Sequence, residues 1–404
     1  MDVRQEALKL HSDNQGKIEV NSRVTIEGPD TLGLAYTPGV AEPCKEIHKD
    51  PDAAYKYTAK GRLVAVVTDG SAVLGLGNIG PAAAMPVMEG KAALFKNFAG
   101  VDAFPVCLDT QDTDEIVKTV KYLAPTFGGV NLEDIAAPRC FEIEARLKEE
   151  LDIPIFHDDQ HGTAIVVLAA VLNALKVVKK EAKDVRTVIS GAGAAGVAIA
   201  KLLLAAGFGD IIVCDSRGII SKDRTNLNSS KQELAEITNS QNISGDISQA
   251  LKGADIFLGV SMPGAVTKEM IASMAKDAIV FAMANPIPEI YPDEAKEAGA
   301  TVVGTGRSDF PNQINNVLVF PGVFRGALEV RATDINEEMK IAAAHAIANL
   351  IQPEELTPDY CIPGVFDKRV AAHVACEVAK KAMETKVARI EIDPEALKEA
   401  MLQG

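Results

Sequence analysis

The sequence predicts an α/β protein with three parts: an N-terminal α/β domain over residues 1–160, a Rossmann-type doubly wound dinucleotide-binding domain over 161–385, and a C-terminal helical tail over 386–404. Three observations carry this. At 404 residues the chain is long enough for two domains, each with its own core. Apolar runs of strand length alternate with helical patterns along most of it. Finally, Thr187-Val188-Ile189-Ser190-Gly191-Ala192-Gly193-Ala194-Ala195-Gly196 joins a β-branched run to Gly-x-Gly-x-x-Gly and then to a helical pattern that stops at Gly207. A second apolar run, Ile211-Ile212-Val213-Cys214, delivers Asp215 nineteen residues after Gly196. In such a unit Gly191 permits the tight turn, Gly193 lets the backbone approach a pyrophosphate, and Gly196 lets helix and strand pack closely. Free N–H groups of this turn and the helix start, those of Ala192, Ala194 and Ala195 included, face phosphate charge. Asp215 is placed to accept hydrogen bonds from ribose hydroxyls. A lone Gly-x-Gly-x-x-Gly is often only a packed turn. With strand, helix, second strand and acid in order, the dinucleotide reading prevails.

Composition narrows the class further. Apolar residues make up 47% and charged residues 24%, as in an ordinary globular protein. The net charge of −15 disfavours a nucleic-acid or anionic-membrane partner. Six cysteines (Cys44, Cys107, Cys140, Cys214, Cys361, Cys376) lie far apart without a C-x-x-C pair, the pattern of reduced core residues in a cytosolic protein. The charged N-terminus lacks the apolar core of a signal peptide, and the longest apolar run, 164–172, is too short to span a bilayer. A cytoplasmic protein is expected.

Taken in order, the chain opens with a short helix at 2–10 and a loop through Leu34-Ala35-Tyr36-Thr37-Pro38-Gly39-Val40. A strand at 63–67 ends at Thr68-Asp69-Gly70, and the glycine-rich 74–80 follows without a dinucleotide-type helix. A helix at 86–97 carries Lys91. Then come a strand at 104–108, a helix at 112–123, a helix at 138–150, and a third strand at 153–156 ending in His157-Asp158-Asp159-Gln160-His161-Gly162. A long helix at 163–178 leads into the glycine motif. Beyond it, strands at 256–260, 279–284 and 301–303 alternate with helices at 267–275 and 292–298, which makes a doubly wound sheet. Helices at 334–350, 368–386 and 394–402 close the chain.

Two acidic pairs, Glu133-Asp134 and Asp158-Asp159, stand out. Adjacent acids are usually solvated surface. Both pairs, however, fall shortly before the domain boundary, where a cleft is expected. Carboxylates without a matched Cys/His set suit a hard cation, Mg²⁺ or Mn²⁺. His157 and His161, four apart, suggest a zinc-protease helix, but Pro154 and a β-like run precede them, Gly162 follows, and the acid is Asp158. That reading is disfavoured. Lys91 sits on a helix of Ala, Leu, Val and Met, where a lysine ordinarily snorkels to solvent; near a metal, a partly desolvated lysine can be neutral and serve as a base. Tyr36 alone reads as a packed tyrosine.

Together these pieces resemble the malic enzymes of the short microbial type, over essentially the whole chain. The resemblance rests on Ala35-Tyr36-Thr37-Pro38-Gly39-Val40, on Val67-Thr68-Asp69-Gly70 before Leu74-Gly75-Leu76-Gly77-Asn78-Ile79-Gly80, and on Glu89-Gly90-Lys91-Ala92-Ala93-Leu94-Phe95. It also rests on Asn131-Leu132-Glu133-Asp134, Phe156-His157-Asp158-Asp159-Gln160-His161-Gly162-Thr163, Ala284-Asn285-Pro286 and Asn315-Asn316-Val317-Leu318-Val319-Phe320-Pro321-Gly322. It implies an N-terminal catalytic domain and a metal-dependent oxidative decarboxylation of malate to pyruvate. Glu133, Asp134 and Asp159 would be metal ligands, Lys91 the general base, Tyr36 the general acid and Asp158 the support of the lysine. Asn285 and Asn316 would meet nicotinamide and substrate, and a homodimer at least is implied.

Ala72 stands where vertebrate-type members carry a carboxylate-binding arginine, so Ser71, Asn285, Asn316 or a basic residue elsewhere must share that task. The end at Gly404, without the acyltransferase-like extension of some microbial members, predicts no regulation through one. Two other functions compete: a lyase that decarboxylates oxaloacetate, or malate to lactate, without net redox turnover, and a nucleotide-sensing module in which the acids and Lys91 are surface decoration. For the cofactor, Asp215 predicts NAD⁺ preferred and NADP⁺ usable, since its charge opposes a 2′-phosphate. Arg217, two residues on, argues the other way, and Ser216 would fit either ligand.

Overall fold

In a computed structural model, which describes residues 3–73 and 75–403, the chain folds around two sheets. Asp2 of the expected first helix and Leu74 of the glycine-rich stretch lie outside the described residues. The first sheet holds β1 (Leu63–Thr68), β2 (Asp102–Cys107), β3 (Gly129–Leu132) and β4 (Ile155–His157) in the order β2-β1-β3-β4, all parallel. The second holds β5 (Arg186–Ser190), β6 (Asp210–Asp215), β7 (Gly218–Ile219), β8 (Ile256–Gly259), β9 (Ala278–Ala282) and β10 (Ala300–Thr305), ordered β10-β9-β8-β5-β6-β7. Only β7 is antiparallel.

Parallel strands covered on both faces read as continuous apolar runs, and β1 does. Its alternate residues go opposite ways: Val64 and Val66 join one core cluster, Ala65 and Val67 another. The first cluster is shared by the two sheets. It runs from Met88 and Phe95 on the Pro81–Ala99 helix through Ala164 to Val171 on the Asp158–Val178 helix, and on to Phe320 and Phe324. The Asp158–Val178 helix is long and apolar enough to cross a membrane, but it is a core helix, and its first turn contains the expected domain boundary at 160. All six cysteines are free thiols.

Each sheet reverses direction at a topological switch point, where open α/β sheets leave a crevice beyond the strand ends. In the first sheet it lies between β1 and β3; in the second, between β5 and β8. The two crevices hold the candidate site.

Among the elements that differ from the sequence expectation, four frame the site. The four-residue β3, with polar Asn131 in its middle, is too short to declare itself, yet it is buried throughout. The helix expected at 163 begins at Asp158, because β4 passes into it with no intervening loop. The helix expected at 86 begins at Pro81, directly after the glycine-rich stretch and with proline at its favoured first position. The Phe320–Glu329 helix was masked by Pro321, Gly322 and Gly326, which read as breakers. Two short helices, Ser229–Ile237 and Ile247–Leu251, add to these and are announced only by their N-caps, Asn228 and Asp246.

Gly322 and Gly326 lie four apart, on the face turned to the Arg369–Glu384 helix. A Cβ on Gly322 would meet the Ala371 carbonyl oxygen at 2.8 Å, and one on Gly326 the Ala375 carbonyl oxygen at 2.5 Å. Gly326→Ala is therefore expected to destabilise the fold by about 1–3 kcal/mol, the usual cost of overpacking. Thermal unfolding reads this as a midpoint several degrees lower; an unchanged midpoint would mean the two helices part easily.

Candidate active site

The register of the first sheet levels the ends of its strands. Val67 pairs with Leu132, and Leu132 with His157, so the residues just beyond β1, β3 and β4 leave the sheet side by side. These are Asp69, the pair Glu133-Asp134, and the pair Asp158-Asp159. Lys91 reaches the same point from the Pro81–Ala99 helix. Its Nζ lies 2.6 Å from Asp158 Oδ2 and 3.0 Å from Glu133 Oε1, with all three groups buried. The ammonium also sits 4.2 Å above the Phe320 ring. From beyond the second sheet, Asn316 donates its amide to Asp158 Oδ2. The lysine centre is thus closed by both halves of the chain.

Burial alone would lower the Lys91 pKa, but the carboxylates of Asp158 and Glu133 reverse this and hold it raised. Flanked by these two carboxylates, Lys91 is held toward its charged form in this arrangement. Burial pushes Glu133 up to about 7 against the pull of Lys91, and Asp159 up to about 6 with the Asp158 charge adding to it. Asp158 likewise stands at about 7 by burial, with Lys91 opposing.

Glu133, Asp134 and Asp159 each offer an oxygen, and the three lie within 4.8 Å of one another. Asp134 adopts φ +54°, and its N–H donates to Asp159 Oδ2 at 2.8 Å. Asn131 orients Glu133 through a 2.8 Å hydrogen bond to Oε2. Three hard oxygen donors, crowded and largely buried, repel one another until a cation joins them, so the donor set fits Mg²⁺ or Mn²⁺.

Three expected site residues stand elsewhere. The Ser71 hydroxyl is committed to the protein: it donates to Asp69 Oδ1 at 2.5 Å and accepts from the Ala136 N–H and from Arg139, at 2.9 and 3.0 Å. It shapes the loop beyond β1 and has no hydroxyl proton left for a substrate. Tyr36 is 66% exposed, at the end of the Pro29–Ala35 helix, and does not share the burial of Lys91. Asn285 is exposed beyond β9, and its carbonyl lies 3.1 Å from the position a Cβ on Gly75 would occupy, so this loop faces the glycine-rich stretch of the first half.

In the second crevice the glycines serve the purposes their spacing implies. Gly191 has φ +115°, and a Cβ there would meet the Val260 carbonyl oxygen at 2.4 Å. A Cβ on Gly196 would lie 1.8 Å from the Gly191 carbonyl oxygen, whereas Gly193 has open space beside it. Gly191, Ala192 and Gly193 line a cavity of about 760 Å³ with Asp215, Ser216, Arg217 and Lys231, and Ala194, Ala195 and Gly196 start the helix behind it. Asp215 is not free. Arg224 holds both its oxygens, at 2.9 and 3.0 Å, Lys231 lies 2.7 Å from Oδ2, and the Arg217 N–H donates at 2.9 Å. Although burial acts to raise it, these donors keep its carboxyl far below the usual range.

Sequence reasoning missed two further groups. Asp69 pairs with Arg139 at 2.9 Å, and the only signal for it was its place after β1. His161 Nε2 lies 2.8 Å from Glu144 Oε1, and Lys340 Nζ lies 3.0 Å from His161 Nδ1. His157 closes β4 and His161 lies in the first turn of the helix that follows, so the two do not share one helix, in keeping with the argument against a zinc site. Their surroundings separate them further, since His161 belongs to Glu144 and Lys340 while His157 is wholly buried and pushed down to about 4 by that burial.

The fold and site define a two-sheet α/β enzyme in which a carboxylate–lysine centre faces a dinucleotide cleft. Comparison with known proteins makes this specific. Residues 15–148 match the malic enzyme N-terminal domain and residues 160–383 the malic enzyme NAD binding domain. The chain is 64% identical to a bifunctional malic/malolactic enzyme of Bacillus subtilis over 99% of its own length and 98% of that protein. It is 51% identical to an NADP-dependent malic enzyme of Escherichia coli, over 96% of its length and 53% of that longer protein. The crystal structure of a malic enzyme from Pyrococcus horikoshii superposes with a TM-score of 0.96 at 50% identity, covering 99% of this chain and 95% of that one. The chain belongs to the malic enzyme family.

Glu144 gives a test of the network beside the site. Burial would raise its carboxyl, but the hydrogen bond with His161 and the Lys340 charge bring it down to about 2. A depressed carboxyl stabilises the fold above its unfolded value, near 4.5, and the benefit is lost as pH falls toward 2. Glu144→Gln should therefore destabilise the fold at pH 7 by about 3 kcal/mol for a broken buried pair, read from urea unfolding. The gap from the parent should narrow below pH 4.5. A gap independent of pH would remove the charge from the account.

Proposed function

We propose that the chain catalyses the oxidative decarboxylation of (S)-malate to pyruvate and CO₂ with reduction of NAD(P)⁺. The observation that carries this is the Lys91–Asp158–Glu133 centre beside the Asp134 and Asp159 carboxylates, closed by Asn316 from the nucleotide-binding half. A divalent ion held by Glu133, Asp134 and Asp159 would polarise first the hydroxyl and then the carbonyl oxygen of the substrate, while the nicotinamide would supply the hydride acceptor. In its neutral form, reached by loss of its own proton to solvent, Lys91 takes the C2 hydroxyl proton at Nζ. Asp158 fixes that atom in place, and Asn316 fixes Asp158. Glu133 belongs to both sets, so once its charge is drawn to a cation, Lys91 loses one of the two carboxylates that hold its proton. Tyr36 delivers a proton to C3 of the three-carbon enol left when CO₂ departs. Asn285 and Asn316 meet the nicotinamide and the substrate.

The bifunctional Bacillus subtilis relative favours a second reading, decarboxylation of malate to lactate at the same centre without net redox turnover. Absorbance at the reduced-nicotinamide band, with malate, Mn²⁺ and either cofactor, separates the two. Growth of that band with pyruvate supports the first; lactate without it supports the second. Asp159→Asn should lose most turnover, with partial recovery at higher Mn²⁺, and Lys91→Ala should abolish malate oxidation. Unchanged turnover and metal requirement in Asp159→Asn would take that residue out of the metal set.

The cofactor preference stands differently from the sequence expectation. With Asp215 neutralised by Arg224 and Lys231, its charge opposes a 2′-phosphate less than a free carboxylate would, and Arg217 lines the same cavity. Both cofactors are accepted in this reading, with NAD⁺ favoured by less than about tenfold, roughly 1.4 kcal/mol. Lys231→Ala should lower kcat/KM for NADP⁺ more than for NAD⁺. An equal loss for both would place the 2′ position away from Lys231.

A further inference from the structure

A buried carboxylate stands at the second crevice with no cation beside it. Glu289, on the loop between β9 and the Pro292–Glu297 helix, is wholly buried. Among the described residues no lysine, arginine or histidine pairs with it; its partners are N–H and O–H groups. Burying a carboxylate without a countercharge is costly, and a well-packed apolar side chain would serve stability better. Stability alone does not account for such a group.

Its position suggests what it does. The register sets Ser190 of β5 beside Gly259 of β8, and Gly259 beside Ala282 of β9, so the loops that follow leave the sheet together. Glu289 Oε1 accepts the Ser261 N–H at 2.7 Å and the Ser261 hydroxyl at 3.2 Å. Ser261 Oγ lies 2.9 Å from the hydroxyl of Ser190, the residue before Gly191. Because the single hydroxyl proton of Ser261 goes to Glu289, Ser190 is the donor in that pair. Glu289 Oε2 accepts the Ala284 N–H at 3.0 Å, one residue before Asn285. Gly259 makes the room, since a Cβ there would lie 2.5 Å from Glu289 Cδ. One side chain thus holds the exit ends of β5, β8 and β9. The two loops it joins face different ways. Ser261 is exposed and lines the cavity that also holds Gly191 and Asp215. Asn285 is exposed on the loop that faces Gly75 of the first half.

We infer that Glu289 is a positioning residue that makes the Ser261 and Asn285 loops one unit, so that a dinucleotide in the cavity and a dicarboxylate at the Lys91 centre each prepare the place of the other. A ligand that orders one loop orders the second through the shared carboxylate. The later ligand then binds more tightly, by the same factor whichever comes first. The inference rests on the reading of Asn285 as a contact of nicotinamide and substrate.

NADH and malonate, a dicarboxylate with no hydroxyl to oxidise, test this without turnover. The dissociation constant of NADH is measured by its fluorescence with and without saturating malonate, Mn²⁺ being present throughout, in the parent and in Glu289→Gln. That substitution keeps the volume but turns an NH₂ group toward one of the two N–H groups. The parent is expected to show a coupling factor of about fivefold or more, and the variant one below about twofold. An equal factor in both proteins overturns the inference, even if the variant melts earlier or binds each ligand more weakly, because that is the mark of a structural role alone. A parent with no coupling overturns it as well. Should Glu289→Gln not fold, Ser261→Ala takes its place: it keeps the N–H on Glu289 and drops the link to Ser190. A lowered factor there supports the inference and an unchanged one overturns it. A parent that leaves malate unconsumed, by oxidation or by decarboxylation, would sink the proposed function and the inference with it, whereas an unchanged coupling factor sinks the inference alone.

Discussion

A buried ammonium held between two carboxylates organises this molecule. Lys91 would be prohibitively costly to bury alone. With Asp158 and Glu133 at 2.6 and 3.0 Å its charge is offset, each pair contributing a few kcal/mol at the effective dielectric of such sites. That geometry requires β3 and β4 to end level, the Pro81–Ala99 helix to cross at the right height, and Asn316 to come from the far half. The first sheet, the central helix and the second sheet are therefore specified together.

Much of this was legible, because it is local. The roles of Gly191, Gly193 and Gly196 follow from spacing alone, and the cradle around them agrees. The acids at 133–134 and 158–159 could be recognised as residues that follow strands. Which acid faces the lysine came only from the family resemblance, because position along the chain does not reveal strand register and helix onset. Asp215 was legible as the acid after β6, but its capture by Arg224 and Lys231 depends on how the chain returns nine and sixteen residues later. The way Ser71 is held was hidden because its partners, Ala136 and Arg139, lie more than sixty residues away. The Phe320–Glu329 helix was hidden because its glycines answer to a neighbouring helix and to no turn.

Besides their shared apolar core, the halves of the molecule meet at polar contacts close to the site. Asn316 reaches Asp158, the Asn285 loop faces Gly75, and Lys340 meets His161. The first two join the crevice of the second sheet to the acid–lysine centre. The third lies just behind it, on the helix that carries Asp158 and Asp159. A shift of the second sheet against the first is felt at the reacting atoms through side chains that are already hydrogen-bonded.

The direct passage of β4 into the Asp158–Val178 helix has a consequence for how such a chain tolerates insertion and deletion. Successive helical residues point about 100° apart, so Asp158 turns to Lys91 while Asp159 turns to Asp134. No loop residue stands between His157 and Asp158 to absorb a change of length. One residue added or removed there would turn the lysine's partner toward Asp134, and the reverse. A change of length is therefore not absorbed at that junction without exchanging the partners of Lys91 and Asp134.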